Sequence, residues 1–354
     1  MEKKSRIYSY DIIRIIAVIA VVTIHSSSPL LTESEFGSVN FTIGNIFDGI
    51  SRLAVPLFLM LSGSLMLDEE RYLPAKKAVR SAGSIFLLLI IWSALYAAAF
   101  KILYPLAAHK EIDVKAFLKA FMNGHYHLWY LFMIVGLYLL TPVLRAFVKR
   151  ENIKIVGYFL LLTIAVYLAP IFMNVFFNIA LPYKNVIKDY ASNFKFTYTN
   201  EFLFYYLAGW FVTNCSLSKI QRRLLYCGGI AGLLITLVGT QLYEKNTDTF
   251  SLFYSTAMLN VVIYAVAVFT FFHYSIKDKA LDKTKKAVSI LSSLTFGVYL
   301  IHPAFLFVIR ELVTDRMTMG FGTLLTEYSG TLLLSFGTAF VMSKIPFIKK
   351  MIRC

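Results

Sequence analysis

The sequence predicts an all-α polytopic membrane protein of about ten transmembrane helices with both termini in the cytoplasm. Three observations carry that prediction. Of the 354 residues, 58% are apolar or aromatic and only 16% charged, against about a quarter charged in an average soluble domain. The mean hydropathy is +0.66. The 35 Lys and Arg outnumber the 20 Asp and Glu, and they are not spread evenly along the chain. These proportions exclude a disordered chain, a coiled coil and a small secreted scaffold, and leave too few charges to clothe a soluble enzyme.

A bilayer crossing takes about 20 apolar residues. Stretches of that kind fall at 12–31, 44–67, 81–103, 128–148, 155–175, 202–215, 224–242, 252–274, 287–309 and 328–347. The sixth is short and is expected to extend upstream through Phe194 and Phe196. The first follows Lys3, Lys4 and Arg6, as a signal peptide would, but it is long and lacks a small-residue cleavage site, so it reads as a retained helix. No soluble domain fits between the stretches, and residues 1–354 read as one domain.

With the N-terminus inside, the inner segments hold 23 of the Lys and Arg and the outer loops 10, while Arg14 and Arg52 lie within spans. Basic residues favour the cytoplasmic side of a membrane, so this bias supports the topology and the count. It also explains the net charge of +15 without a nucleic-acid partner. Cys215, Cys227 and Cys354 are scattered, and neither a disulfide framework nor a zinc site is indicated.

Ionisable groups inside spans cost roughly 2.5–3.5 kcal/mol each on insertion scales and usually face a partner or a cavity. The first span holds Asp11, Arg14 and His25. Eleven residues is close to three helical turns, about 16 Å of rise, so Arg14 and His25 share a face, with Arg14 near the cytoplasmic end. Asp11 and Arg14 are spaced to pair. Arg14 reads either as a snorkelling anchor or as a site cation. His25 reads either as a satisfied packing residue or as a base for a hydroxyl proton. Arg52 stands one turn before Pro56, where a kink frees a carbonyl.

Lys76, Lys77 and Arg80 precede the third span. They serve either as ordinary cytoplasmic charge or as partners for an anionic cofactor. His125 and His127 alternate before the fourth span, but no further ligand accompanies them and a metal is not expected. Trp129 and Tyr130 fit an interfacial belt. His302 immediately precedes Pro303, and Arg310 and Glu311 fit the outer interface. No GxSxG, P-loop or GxGxxG motif is present.

Arg14-x10-His25 resembles the R/K-x10-H signature of the acyltransferase-3 membrane proteins, which include bacterial O-acetyltransferases. VPLFLMLSG (55–63), HLWYLFMIVGLYLLTPVL (127–144) and FGVYLIHP (296–303) also resemble recurring family segments, in the family's order. The similarity runs from about Tyr10 to the C-terminus. It is nearest to the subset that acetylates surface or common-antigen-type glycans without an added extracytoplasmic domain.

The resemblance implies acetyl transfer from cytosolic acetyl-CoA, a co-substrate, to a hydroxyl of an extracytoplasmic glycan or lipid-linked saccharide. It implies a multi-pass protein of the bacterial cytoplasmic membrane, with no metal. Arg14 and His25 correspond to the family's essential pair. His25 would act as general base and Arg14 would help hold the donor, with Arg52, His127 and His302 as candidates for the substrate or oxyanion. The family's basic RxxR element appears here only as Lys77-x-x-Arg80, beside Lys76, and a lysine does not supply the bidentate phosphate contact of an arginine.

Two competing readings stand beside this one. Domains of this family are also fused to serine racemases in glycopeptide-resistant bacteria, where the membrane part would bind or transport serine; that reading expects a racemase domain beyond Cys354. A glycan-export component without chemistry is the other. Tyr183, Tyr190 and Tyr198 in the loop 176–201 read either as residues that stack on a sugar or as interfacial caps. The sequence carries no signal of oligomeric state.

Overall fold

A computed structural model describes residues 6–180, 200–243, 252–276 and 283–352. Tyr183, Tyr190 and Tyr198 lie outside the described residues. All regular structure among the described residues is helical.

Helix α1 spans Tyr8–Thr32. It is followed in the chain by α2 (Val39–Ser51), α3 (Ala54–Met66), α4 (Ala75–Ala98) with a π-helical turn (Ala99–Leu103), α5 (Tyr104–Ala107), α6 (Val114–Asn123) and α7 (Trp129–Phe147). Then come α8 (Ile153–Thr163) with a second π-helical turn (Ile164–Leu168), α9 (Ala169–Ala180), α10 (Glu201–Asn214), α11 (Lys219–Tyr243), α12 (Leu259–Ser275), α13 (Lys285–Leu312), α14 (Phe321–Met342) and α15 (Pro346–Lys349). Among the described residues, seven helical segments are long and apolar enough to cross a membrane, and the chain is a multi-pass membrane protein. Helices occupy each of the ten stretches read from the sequence, with shifted ends.

The shifts have local causes. The sixth stretch does not continue upstream as one helix, because extended Asn200 caps α10 and its side chain takes the Leu203 amide at 2.8 Å. The eighth begins only at Leu259, since the residues before it make a turn that buries Phe253 and Tyr254. The predicted loop 104–127 contains α6, started by Asp113, whose carboxylate takes the Ala116 amide. The chain does not run helically through Arg52: α2 ends at Ser51, and α3 resumes one residue before Val55-Pro56.

Helix α1 packs against α2, α3, α12, α13 and α14, which buries Ile13, Ala17, Val18, Val21 and Val22. Two glycines set the approach of α3 to α10. A Cβ on Gly63 would stand 1.7 Å from the Tyr206 carbonyl oxygen, and one on Gly209 would stand 1.9 Å from that of Met60. Close backbone contact of this kind is what small residues permit between membrane helices. Buried polar ties do the rest. Tyr254 donates to Asn45 at 2.6 Å, Asn260 to Thr236 at 2.8 Å, and the Thr141 and Tyr206 hydroxyls share a 2.8 Å bond.

Candidate active site

The ionisable groups of α1 face two different environments. Near its N-terminal end, buried Asp11 accepts from Arg6, from Arg14 Nη1 at 3.0 Å and from Ser292 Oγ at 2.7 Å. Arg14 therefore does pair with Asp11 as the spacing predicts, and α13 adds a third partner. Arg6 and Arg14 also line a cavity of about 540 Å³. Its third cation is Arg71, whose loop is pinned by Arg145, which donates to the carbonyls of Met66, Asp68 and Arg71 at 2.8, 2.8 and 2.9 Å. Lys76, Lys77 and Arg80 lie on the first turns of α4, exposed, and are not part of the cavity wall.

Residues of α3, α4, α7 and α13 line the cavity. From Tyr138 to Tyr130 along α7 its wall spans eight residue steps, about 12 Å of helix. Tyr130 and Tyr299 form its inner wall, packed edge to face with ring centres 5.7 Å apart. Tyr130 thus lines the interior, where the sequence suggested an interfacial belt. Trp129 beside it is exposed.

Behind those two rings the histidines gather. His25 stacks on His302 at 5.3 Å, His302 meets His127 edge to face at 5.4 Å, and His125 and His127 share an Nδ1···Nδ1 bond of 3.0 Å. Tyr126 closes on His25 at 4.9 Å, and Tyr96 and Phe100, the latter in the first π-helical turn, stack on His125. Tyr299 donates to the His127 carbonyl and packs on both the His127 and His302 rings. His125 and His127 sit in the turn before α7, outside the spans. Burial lowers the His125 imidazole to about 4 and pushes His127 well below the usual range, so both are neutral near pH 7.

Two prolines orient the cluster. A proline lacks the N–H that would bond the carbonyl four residues earlier. For Pro303 that carbonyl belongs to Tyr299, and His302 Nδ1 takes it at 2.7 Å. A carbonyl only accepts, so Nδ1 carries the proton and Nε2 presents a lone pair. That Nε2 is buried and without a hydrogen-bond partner among the described residues, as is Nε2 of His127. For Pro29 the orphaned carbonyl is that of His25, and Arg310 Nη2 donates to it at 2.7 Å.

Arg310 is held in turn by Glu327 Oε2, at 3.0 Å from Nε and 2.8 Å from Nη2, and Thr314 donates to Oε1 at 3.1 Å. Arg310 therefore points inward, not to an interface as its position suggested; Glu311 beside it is exposed. This group walls a second cavity of about 290 Å³, with Ser26, Glu33, Asp315 and Thr323, toward the other end of α1. Arg52 also has a specific partner: it is paired with buried Asp48, one turn back on α2, and its guanidinium lies over the Tyr254 ring at 4.3 Å.

The structure thus brings together His25, His127 and His302, sets Arg14 in the basic cavity, and leaves Arg52 in its own ion pair. Asp48 and Glu327 escaped the sequence reading, and Arg310 entered it only as an interfacial residue. Asp48 sits one turn from Arg52, Pro29 four residues after His25 signals a carbonyl in need of a donor, and Glu327 falls one residue before the tenth predicted stretch. Among the described residues no group of three or more His, Cys, Asp or Glu is arranged to hold a metal.

Fold and site together define a multi-pass helical membrane protein with an imidazole cluster one aromatic layer from a basic cavity. Residues 7–344 match the acyltransferase-3 family model, described as an acyltransferase domain. The chain belongs to that family and is a membrane acyltransferase. No curated protein and no solved structure is significantly similar to it.

Proposed function

We propose that the protein is an O-acetyltransferase of the bacterial cytoplasmic membrane, moving acetyl from cytosolic acetyl-CoA to a hydroxyl of an extracytoplasmic glycan or lipid-linked saccharide. The observation that carries this reading is the position of the imidazole cluster between two cavities that lie toward opposite ends of α1. The basic bias of the inner loops puts the arginine-lined cavity on the cytosolic side. There Arg6, Arg14 and Arg71 offer guanidinium forks to the phosphates of the donor, and the thioester end reaches inward toward Tyr130 and Tyr299.

His25 removes the acceptor hydroxyl proton as the oxygen attacks the thioester carbonyl. The same proton passes to the departing CoA sulfur when the tetrahedral intermediate collapses, so the step needs no further reactant. An oxyanion requires a donor. His302 Nε2 carries a lone pair and does not fit that role, whereas His127 does if His125 Nδ1–H donates to it, which leaves the proton on His127 Nε2. Arg52, already paired with Asp48, contributes to the field around His25 and not a direct bond. Mass spectrometry of surface glycans from cells with and without the protein tests the reading. A difference of one acetyl group per modified unit supports it, and identical glycans overturn it.

A further inference from the structure

We infer that the second cavity is the acceptor subsite and that it selects an uncharged, polyhydroxylated sugar unit over an anionic one. This rests on the acetyltransferase reading for the word acceptor, but the charge preference of the cavity can be tested apart from it. The polar wall is built from Ser26, Glu33, Arg310, Thr314, Asp315 and Glu327. It carries three carboxylates and one guanidinium, and that guanidinium is already bonded twice to Glu327 and once to the His25 carbonyl. No free cation among these residues is left for a uronate or a phosphodiester, and the carboxylates repel both.

A neutral polyol meets no such penalty, because hydroxyls both donate and accept. Ser26 supplies the second observation. Its residue is 2% exposed, its Oγ has no hydrogen-bond partner among the described residues, and it follows His25 directly on the cavity wall. On rotating toward the cavity, the unsatisfied Ser26 hydroxyl gains a partner in a hydroxyl of the bound sugar, one residue from the base that would deprotonate its neighbour. The link from Arg310 to the His25 carbonyl fixes that wall to the catalytic turn of α1.

Two variants test this. Ser26→Ala removes no side-chain hydrogen bond among the described residues, so the melting temperature and the acetyl-CoA dissociation constant of the purified protein are expected to stay unchanged. Surface-glycan acetylation in complemented cells falls about tenfold, the loss expected for one missing ligand hydrogen bond. Full acetylation in this variant overturns the subsite, and a lowered melting temperature assigns Ser26 to packing instead. Ser26→Cys, in a chain with Cys215, Cys227 and Cys354 changed to Ser, reads the electrostatics directly. Externally added cationic methanethiosulfonate is expected to react at least several-fold faster than the anionic reagent. Equal rates, or a faster anionic reagent, overturn the charge preference. If wild-type cells show no acetylated glycan, the acetyltransferase reading fails while the thiol rates still judge the cavity.

Discussion

The two cavities differ most in what backs their charges. In the larger one, Arg6 and Arg14 share the single carboxylate of Asp11, and Arg71 is held by backbone. Positive charge is left over on its wall. In the smaller one, Arg310 is matched by Glu327, and Glu33 and Asp315 add negative charge. One helix, α1, contributes to both walls, and the residues on it, Arg14 and Ser26, are about 18 Å apart along the axis. The lesson is that a buried ion pair can cancel a charge or merely aim it. Asp11 aims its arginines, and Glu327 cancels its own.

The comparison breaks most decisively at its shared centre. His25→Ala should lower acetyl transfer by about 10²- to 10⁴-fold, the usual contribution of a general base, with the protein still folded and inserted; transfer at the wild-type rate would remove His25 from the chemistry. Next in size is the larger cavity's framework. Gly63→Ala forces α3 away from α10, and because Phe58, Leu61, Ser62 and Leu65 of α3 line that cavity, thermal denaturation should report about 1–3 kcal/mol of lost stability together with weaker donor binding. Unchanged stability would mean the two helices slide apart at no cost.

Asp11→Asn tests aiming. It leaves Arg6 and Arg14 without their shared anchor, and the KM for acetyl-CoA should rise about tenfold while the reactivity of Ser26→Cys at the other cavity stays as it was. A matched loss at both ends would show that the cavities are not independent. The smallest effects separate wall from periphery. Arg71→Gln should raise the KM for acetyl-CoA about fivefold, as loss of one exposed charge-assisted bond predicts. Lys77→Gln, off the cavity wall, should change it less than about twofold; equal losses would extend the donor site onto the first turns of α4.

Much of the bundle could be read before any coordinates, because hydrophobic stretches of crossing length are written in composition alone. The arginine–histidine pair of α1 was equally visible, since few charges exist inside the spans. What stayed hidden were relations between distant elements. His302 and His25 are 277 positions apart, and no periodicity connects them. Arg310 looked interfacial from its place at a helix end, yet the carbonyl freed by Pro29 draws it inward. Arg71 had no special signal, as its role depends on Arg145 folding a loop across the cavity mouth. Helix starts such as that at Asn200 were missed because a single capping side chain overrides apolar continuity.

The Tyr130–Tyr299 pair has a wider consequence for a cell that lives by its proton gradient. A route for acetyl groups from one side of a membrane to the other is also, if it stands open, a route for protons and water. Under the acetyl transfer proposed above, the Tyr130 and Tyr299 rings on the wall of one cavity, with the imidazoles beyond them, would stand between donor and acceptor and keep the bilayer's insulation. Shortening either ring should therefore be felt first as a leak, in the growth and energy charge of the cell, before it is felt in the chemistry of its glycans.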